Sequence, residues 1–248
     1  MMSTPFGKLF LVPNLLGATQ PEQVLPSGTL EAIKKLKFFV VENTRTSRRV
    51  LSRIGMDNPI DAIEFIELDK HATREPDMME YLGPCLQGDD MGLMSEAGTP
   101  CVADPGAVIV DLAHSAGIQV VPLTGPNAMI LALMASGFNG QCFTFHGYLP
   151  IKSPERQSAI KNLERRSAAN DETEIFIETP FRNNAMLADL CKNCYPATRL
   201  CIASNLTCAD EQIISQDISA WKSFKGDLNK KPAVFLIYSE NKGYYKKH

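Results

Sequence analysis

Short apolar runs of strand character alternate with helical patterns along the first half of the chain. The runs fall at residues 8–12, 38–41, 63–68, 91–94 and 119–123. Helical patterns occupy the stretches between them, at residues 29–36, 47–54, 76–86 and 107–116. This alternation is typical of βαβ units, which build a parallel sheet with helices on both faces. The first half therefore predicts a doubly wound α/β domain.

After Pro122 the pattern changes. A helix of small residues is predicted at 127–136 and a polar helix at 154–167. Strand-like runs follow one another at residues 143–146, 175–177, 199–203, 212–214 and 234–238. The last of these lie too close together for helical crossovers, which parallel strands require. We therefore predict a second α/β domain with a mixed sheet, and domains at residues 1–123 and 124–248.

Composition excludes several classes of protein. The chain has 248 residues with 44% hydrophobic and 21% charged residues, which is ordinary globular composition and enough for two cores. Its net charge is -3, so any contact with nucleic acid must be local. No apolar run approaches the ~20 residues of a membrane span, and no basic N-terminal leader precedes one. We expect a cytoplasmic protein that does not bind membranes.

Seven cysteines form an odd set, and most lie inside apolar runs. They are interpreted as reduced core residues. Cys191 and Cys194 form a single CxxC without a second pair of ligands, which favours a helix end over a zinc or redox site. No metal site is predicted.

The segment that carries chemistry is SEAGTPCVADPG at residues 95–106, which follows a strand and opens a helix. Open α/β sheets bind ligands at the carboxyl ends of their strands. Glycines there allow close approach of the backbone to a ligand, and Glu96 could accept from ribose hydroxyls. A second turn, LTGPNA at residues 123–128, follows the next strand, and Pro126 suits the first turn of a helix. The alternative is that both are ordinary strand-to-helix turns.

These two turns, together with ENTR at 42–45, GYLP at 147–150 and IETPFR at 177–182, resemble motifs of the tetrapyrrole methylase family. The similarity is strongest to the branch that methylates a ribose 2′-hydroxyl in small-subunit ribosomal RNA. It implies two α/β domains with S-adenosylmethionine bound in the cleft between them. Three departures stand out: VPNLLG at 12–17, Glu96 in place of Asp, and SNLT at 204–207 in place of RELT.

Two other functions stay open. One is a methylase of a small-molecule tetrapyrrole, which the acidic charge balance tolerates better, and the other is a cofactor-binding regulatory protein without transfer activity, which Glu96 and Asn205 suggest. Ribosomal RNA or a small molecule is thus the expected methyl acceptor. The resemblance also implies a homodimer, which the apolar helix pattern at residues 128–134 supports, since several faces of that helix need covering.

The resemblance implies that backbone groups hold most of the cofactor. Carried over by position, the cofactor-binding candidates are Pro13, Glu96, Ala97, Gly98, Thr99, Thr124, Asn127, Ala128, Phe176, Ile177, Ala203, Pro232 and Ala233.

Three residues are the candidates for catalysis. Glu178 and Arg182 lie one strand-to-helix turn apart and could orient a substrate hydroxyl, or form a surface ion pair. Arg45 is expected to lie nearest the methyl acceptor. Lys70 and His71 follow the third strand, where His71 could take a proton or simply be exposed.

A helix predicted at residues 44–54, started by Thr44, carries a group of arginines. Arg45, Arg49 and Arg53 share one face at i, i+4 and i+8, and Arg48 lies beside them. Such a stripe either binds phosphates or is a solvated helix face, and the sequence favours neither.

Overall fold

The computed structural model describes residues 6–68 and 77–240. It divides into two compact units, Met1–Asn127 and Ala128–His248. The sequence predicts a domain boundary after Leu123, four residues before the division between these two units. The domain boundary itself stays a prediction. Lys70, His71 and residues 241–248 lie outside the described residues.

The first unit alternates strands and helices. Its elements are β1 (Leu9–Val12), α1 (Pro21–Val24), α2 (Ser27–Lys34), β2 (Phe38–Val41), α3 (Thr44–Ile54), β3 (Glu64–Glu67), α4 (Met78–Gln87), β4 (Met91–Met94), α5 (Ala107–Ser115) and β5 (Val120–Pro122). The strands pair in the order β3-β2-β4-β1-β5, and every pairing is parallel. The predicted doubly wound parallel sheet is confirmed.

Alternating side chains of these strands build a core on each face of the sheet. Val40 of β2 packs on one face with residues of α4 and α5. Its neighbours Phe39 and Val41 pack on the other face with residues of α2 and α3. Adjacent residues of a strand point to opposite faces, so both faces of β2 must be apolar and covered. Gly92 of β4 faces the ring of Phe39, whose nearest atom would lie 2.7 Å from an added Cβ.

The helix that carries the arginines begins as predicted, but a different residue caps it. Asn43 is the N-cap, and its side chain accepts a hydrogen bond from the Thr46 amide at 3.0 Å. Thr44 is the first residue of the helix, which confirms the predicted bounds of residues 44–54. An asparagine cap is favoured because its carbonyl oxygen reaches the free amides of the first turn. Gly55 ends the helix with φ 75°, a conformation that glycine adopts without strain.

The second unit contains a mixed sheet, as predicted. Its elements are α6 (Ala128–Ser136), β6 (Phe143–Tyr148), α7 (Ser153–Asn170), β7 (Thr173–Glu178), α8 (Asn183–Asn193), β8 (Arg199–Ser204), β9 (Gln212–Asp217), α9 (Ile218–Trp221) and β10 (Ala233–Tyr238). The order is β6-β7-β10-β8-β9; β6 and β7 are parallel, and the remaining pairings are antiparallel. Phe176 and Phe235 stack at its centre, 5.3 Å apart.

Three helices of the structure, α1, α8 and α9, are not among the predicted elements. Two of them are only four residues long. The third, α8, opens with two asparagines, and the side chain of Asn183 is buried and donates to Lys231 O at 2.7 Å. Met186, Leu187 and Leu190 form the buried face of α8, but its polar first turn does not mark where that apolar pattern begins. Within the described residues, no helix is long and apolar enough to span a bilayer.

The position of the α3 cap can be tested by stability. Asn43→Ala removes the acceptor of the Thr46 amide and should lower the free energy of unfolding by about 1 kcal/mol. Thr44→Ala removes only an exposed hydrogen bond to Glu67 and should cost less than about 0.5 kcal/mol. Urea titrations of the two variants measure the difference. A larger loss for Thr44→Ala would contradict the assignment.

Candidate active site

The strand order of the first unit predicts a crevice at the carboxyl ends of β2 and β4. These strands are neighbours, yet the chain leaves β2 for β3 at one edge of the sheet and leaves β4 for β5 at the other. Connections that leave in opposite directions open a crevice, and open α/β sheets bind ligands at such points. The two strand ends meet there, since the Glu96 amide donates to Glu42 Oε1 at 3.1 Å.

Asn14, directly after β1 and Pro13, holds the turn that follows β4. Its side-chain nitrogen donates to Ser95 O and to Glu96 O, both at 2.9 Å. Its backbone amide donates to Gly98 O at 2.8 Å. Asn14 is only 2% exposed, so these bonds form away from solvent, where leaving a carbonyl unpaired is costly. One residue thus fixes three carbonyl groups of the turn.

In this turn the backbone carbonyl groups are hydrogen-bonded within the protein, whereas three backbone amides remain available to a ligand. Ser95 Oγ donates to Ala97 O at 3.2 Å, so the carbonyls of residues 95–98 all have partners in the protein. In the described part of the chain, the amides of Ala97, Gly98 and Thr99 donate to no protein group. Consecutive amides without acceptors suit a ligand that carries carboxylate, hydroxyl or ring-nitrogen acceptors.

Gly98 is required at its position in this turn. Its φ is +70°, and an added Cβ would lie 3.2 Å from Leu16 Cδ2 and 3.4 Å from Pro126 O. Both the conformation and the packing therefore disfavour a side chain.

The turn after β5 packs against the same region. Asn127 Nδ2 donates to Thr99 Oγ1 at 2.7 Å, and Thr124 O accepts from Thr29 Oγ1 at 2.9 Å. Gly125 lies against Pro13, whose Cβ would be 2.3 Å from an added Cβ. Helix α6 begins only at Ala128, so Pro126 precedes the helix instead of occupying its first turn.

The rest of the 95–106 segment is tightly folded. Cys101 and Ala103 have positive φ, at 65° and 64°. Asp104 Oδ1 accepts from the Gly106 amide at 2.7 Å, while its Oδ2 is buried without a partner among the described residues. Burial raises the pKa of the Asp104 carboxyl, and the nearby charge of Glu42 raises it further. Burial also raises the pKa of the Cys101 thiol to about 11, which keeps it protonated and unreactive.

In the second unit, Glu178 and Arg182 form an ion pair that is not a surface pair. Arg182 Nε donates to Glu178 Oε1 at 2.9 Å, and Arg182 Nη2 bonds to the same oxygen. The side chain of Glu178 is 1% exposed and that of Arg182 is 29% exposed. Glu178 Oε2 is buried with no hydrogen-bond partner in the described residues. The pair therefore holds a guanidinium at the carboxyl end of β7 with one carboxylate oxygen still unsatisfied.

The other candidates of the second unit gather at the same end of its sheet. Ile177 and Ala203 lie on either side of Val234 in β10, next to Ala233. Pro232 O accepts from the Asn205 amide at 2.9 Å. The ring of Phe176 is fully buried in the core, so its candidate contact could come only from the backbone.

Helix α3 starts at the crevice, because β2 ends at Val41 and the Glu42 carboxylate binds the Glu96 amide. Arg45 and Arg49 are exposed on this helix. Arg45 thus lies two residues beyond the Asn43 cap, at the end of α3 nearest Glu96.

Residues outside these turns behave as structural groups. All seven cysteines are free, and Cys142 is exposed, which corrects the expectation that the set is buried. Cys194 ends α8, as predicted for a helix end. The described residues contain no group of side chains that could hold a metal ion.

His146 pairs with the buried Glu174, which gives this histidine a structural partner.

Sequence reasoning missed Asn14, although it named its neighbour Pro13. The available signal was its place, since Asn14 follows β1, an interior strand of the parallel sheet, where side chains reach the turns of neighbouring strands.

A doubly wound parallel sheet with this turn, followed by a mixed sheet, defines a two-unit α/β protein with a candidate ligand site at the carboxyl ends of its strands. The chain belongs to the tetrapyrrole (corrin/porphyrin) methylase family, whose sequence model matches residues 24–220. Members of this family depend on S-adenosylmethionine. The predicted family membership and enzyme class are confirmed.

Individual proteins agree with this assignment. The chain is 30% identical over 239 residues to ribosomal RNA small subunit methyltransferase I of Xylella fastidiosa, which covers 95% of this chain and 82% of that protein. It is 31% identical over 238 residues to the protein of the same name from Escherichia coli O157:H7, and the match covers 94% of this chain and 78% of that protein. The crystal structure of the methyltransferase CobJ shares the fold, with a TM-score of 0.58 at 16% identity over 94% of each chain.

The role of Asn14 can be tested directly. Asn14→Ala leaves buried carbonyls of the turn unpaired and should lower the free energy of unfolding by about 2–4 kcal/mol. It should also weaken S-adenosylmethionine binding at least tenfold. Chemical denaturation and calorimetric titration measure the two effects. Asn229→Ala, at an exposed asparagine whose side chain has no hydrogen bond within the described residues, is the matched control and should change neither strongly. Unaltered cofactor binding by Asn14→Ala would contradict this role, because the turn would then keep its shape without the Asn14 hydrogen bonds.

Proposed function

We propose that this protein transfers a methyl group from S-adenosylmethionine to a ribose 2′-hydroxyl of small-subunit ribosomal RNA. The observation that carries the proposal is the turn at residues 95–99, with satisfied carbonyls and three available amides at a sheet crevice. The names of the relatives supply the substrate. A ribosomal RNA substrate would place the enzyme in the cytoplasm.

The residues present fit the cofactor. The amides of Ala97, Gly98 and Thr99 can donate to its carboxylate, ribose or adenine acceptors, and Gly98 leaves room for close approach. We assign the remaining contacts to Pro13, Glu96, Thr124, Asn127 and Ala128 in the two strand-to-helix turns. In the second unit we assign them to the backbone at Phe176, Ile177, Ala203, Pro232 and Ala233.

The methyl group of the bound cofactor is already activated, because it sits on a positively charged sulfur. The protein's task is then to hold the acceptor hydroxyl in line with it, and positioning of this kind supplies about 7–11 kcal/mol of a barrier. In this proposal the partly exposed Arg182, fixed by the buried Glu178, orients the hydroxyl, and the proton of the hydroxyl passes to solvent water. No strongly basic residue is needed.

The departures from the family motifs do not favour a protein without transfer activity. Position 96 contributes backbone groups to the turn, since its carbonyl binds Asn14 and its amide binds Glu42. Asn205 has φ 50° and donates to Asp210 Oδ2 at 2.6 Å, which stabilises the β8–β9 hairpin. The alternative substrate, a small-molecule tetrapyrrole, is not supported by the names of these two relatives, which are both ribosomal RNA methyltransferases.

The proposal predicts methylation of RNA and its loss on a single substitution. Wild-type protein incubated with S-adenosylmethionine and small ribosomal subunits should add one methyl group to a ribose, detected by mass spectrometry of nuclease fragments. Gly98→Val should abolish it, because its side chain fills the turn. The same variant should lose the thermal stabilisation by cofactor, which is about 2.7 kcal/mol at a hundredfold excess over the dissociation constant.

A parallel reaction with a tetrapyrrole separates the two substrates. Methylated tetrapyrrole with unmodified RNA would replace the proposed substrate. Cofactor binding without transfer to either would instead identify a regulatory protein.

We also propose a homodimer that covers α6. Ile130 is 42% exposed and Met134 is 74% exposed on a helix whose residues are nearly all apolar. Apolar side chains on this scale are usually covered by another surface. Sedimentation at tens of micromolar should give a dimer for the wild type and a monomer for Met134→Glu. A monomeric wild type would overturn the proposal.

A further inference from the structure

Helix α3 has an unusual charge for its position. Its 11 residues include four arginines and no acidic residue. Ser47, Leu51 and Ile54 form its buried face. A solvated helix face usually mixes both signs of charge, because opposite charges at i and i+4 stabilise the helix. This face contains one sign only.

Two of the arginines have contacts within the fold. Arg48 forms an ion pair with Asp61, and its guanidinium lies 5.8 Å from the centre of the Phe65 ring. Arg53 donates to Thr19 O. These contacts tie α3 to neighbouring segments and explain both residues structurally.

Arg45 and Arg49 have no such explanation. Both are exposed, and neither has a hydrogen bond, ion pair or ring contact with any group in residues 6–68 and 77–240. Arg45 also lies in the first turn, where the positive end of the helix dipole makes a cation unfavourable. The helix would be more stable without this charge, so its presence points to a partner outside the chain.

The surface around these two side chains is concave. A shallow depression of about 540 Å³ is lined by Thr44, Arg45, Arg48, Arg49 and Glu67, together with Asn43. A second one of about 480 Å³ continues along the helix and shares Arg48 and Arg49 with the first. Asp61, Glu67 and Glu42, which lies just before α3, are acidic neighbours of this surface, and the four arginines still leave it locally positive on a chain whose net charge is -3.

We propose that Arg45 and Arg49 bind successive phosphates of the substrate RNA along this face of α3. The inference rests on the proposed function and names the surface that the RNA would follow away from the crevice. The two residues are separated by about 6 Å along the helix axis, comparable to the spacing of neighbouring phosphates on one strand. Guanidinium groups bind phosphate oxygens in pairs of hydrogen bonds and remain charged at any physiological pH.

The test compares two double variants of equal charge change. Arg45→Gln/Arg49→Gln removes the proposed contacts. Lys161→Gln/Arg165→Gln removes two exposed cations at the same spacing on α7. Binding to protein-free small-subunit ribosomal RNA, and to an unrelated RNA of equal length, is measured over a series of salt concentrations.

The α3 variant should bind both RNAs more weakly, since phosphates carry no sequence information. Its log–log salt slope should be smaller by roughly 1.4–1.8, from about 0.7–0.9 for each lost phosphate contact. Cofactor affinity should be unchanged, and the melting temperature should not fall, because a first-turn cation has been removed. The α7 variant should keep most of the wild-type slope.

Equal RNA binding by the α3 variant and the wild type would overturn the inference. An equal loss in the α7 variant would overturn it too, since only total charge would then matter. A lower melting temperature or weaker cofactor binding in the α3 variant would show a structural role instead. If the wild type methylates RNA and the α3 variant binds RNA as tightly as the wild type, only this inference is rejected. A wild type that methylates no RNA rejects the proposed function itself.

Discussion

The buried side-chain amide of Asn14 is the interaction on which the candidate active site depends. Its nitrogen binds two carbonyls of the turn after β4, and its oxygen accepts from the Leu15 amide at 2.7 Å. Both donors of this buried amide, and its oxygen, are thus used for local geometry. Because the carbonyls are drawn toward Asn14, the amides of the turn remain for a ligand. The order of the strands makes this possible, since β1 pairs directly with β4.

The arrangement of the fold follows from apolar runs, but the ends of the elements do not. In β7 the apolar run predicts only residues 175–177, whereas the strand extends from Thr173 to Glu178. Its polar ends are stabilised by tertiary partners: Glu174 pairs with His146, and Glu178 pairs with Arg182. Likewise, the cap of α3 depends on one hydrogen bond of Asn43, a residue that hydrophobic periodicity does not register. Paired polar residues therefore extend elements beyond what burial patterns predict.

The candidate site was predictable as a segment and not as a set of contacts. Strand-to-helix turns with glycines at 98 and 125 mark the edge of a parallel sheet, and both turns lie there. Backbone groups, however, are the same in every residue, so no side-chain pattern distinguishes an amide that is free from one that is bonded. Asn14 lies 81 residues from its partner Ser95, and only the sheet order brings them together. The sequence predicted that Glu178 and Arg182 could interact, but it did not predict that the Glu178 carboxylate is buried.

Local charge explains how an acidic protein could bind a polyanion. Electrostatic attraction to RNA falls off within about 10 Å at moderate salt, so the charge near the contact matters more than the net charge of the chain. Helix α3 carries its arginines from the crevice outward. Its acidic neighbours Asp61, Glu67 and Glu42 contact Arg48, Thr44 and the Glu96 amide, and none of them has a hydrogen bond or ion pair with Arg45 or Arg49 within the described residues. An RNA strand drawn to this face would reach the crevice at the end where Arg45 lies. In that arrangement, the same helix that covers the β2 core also guides the substrate to the chemistry.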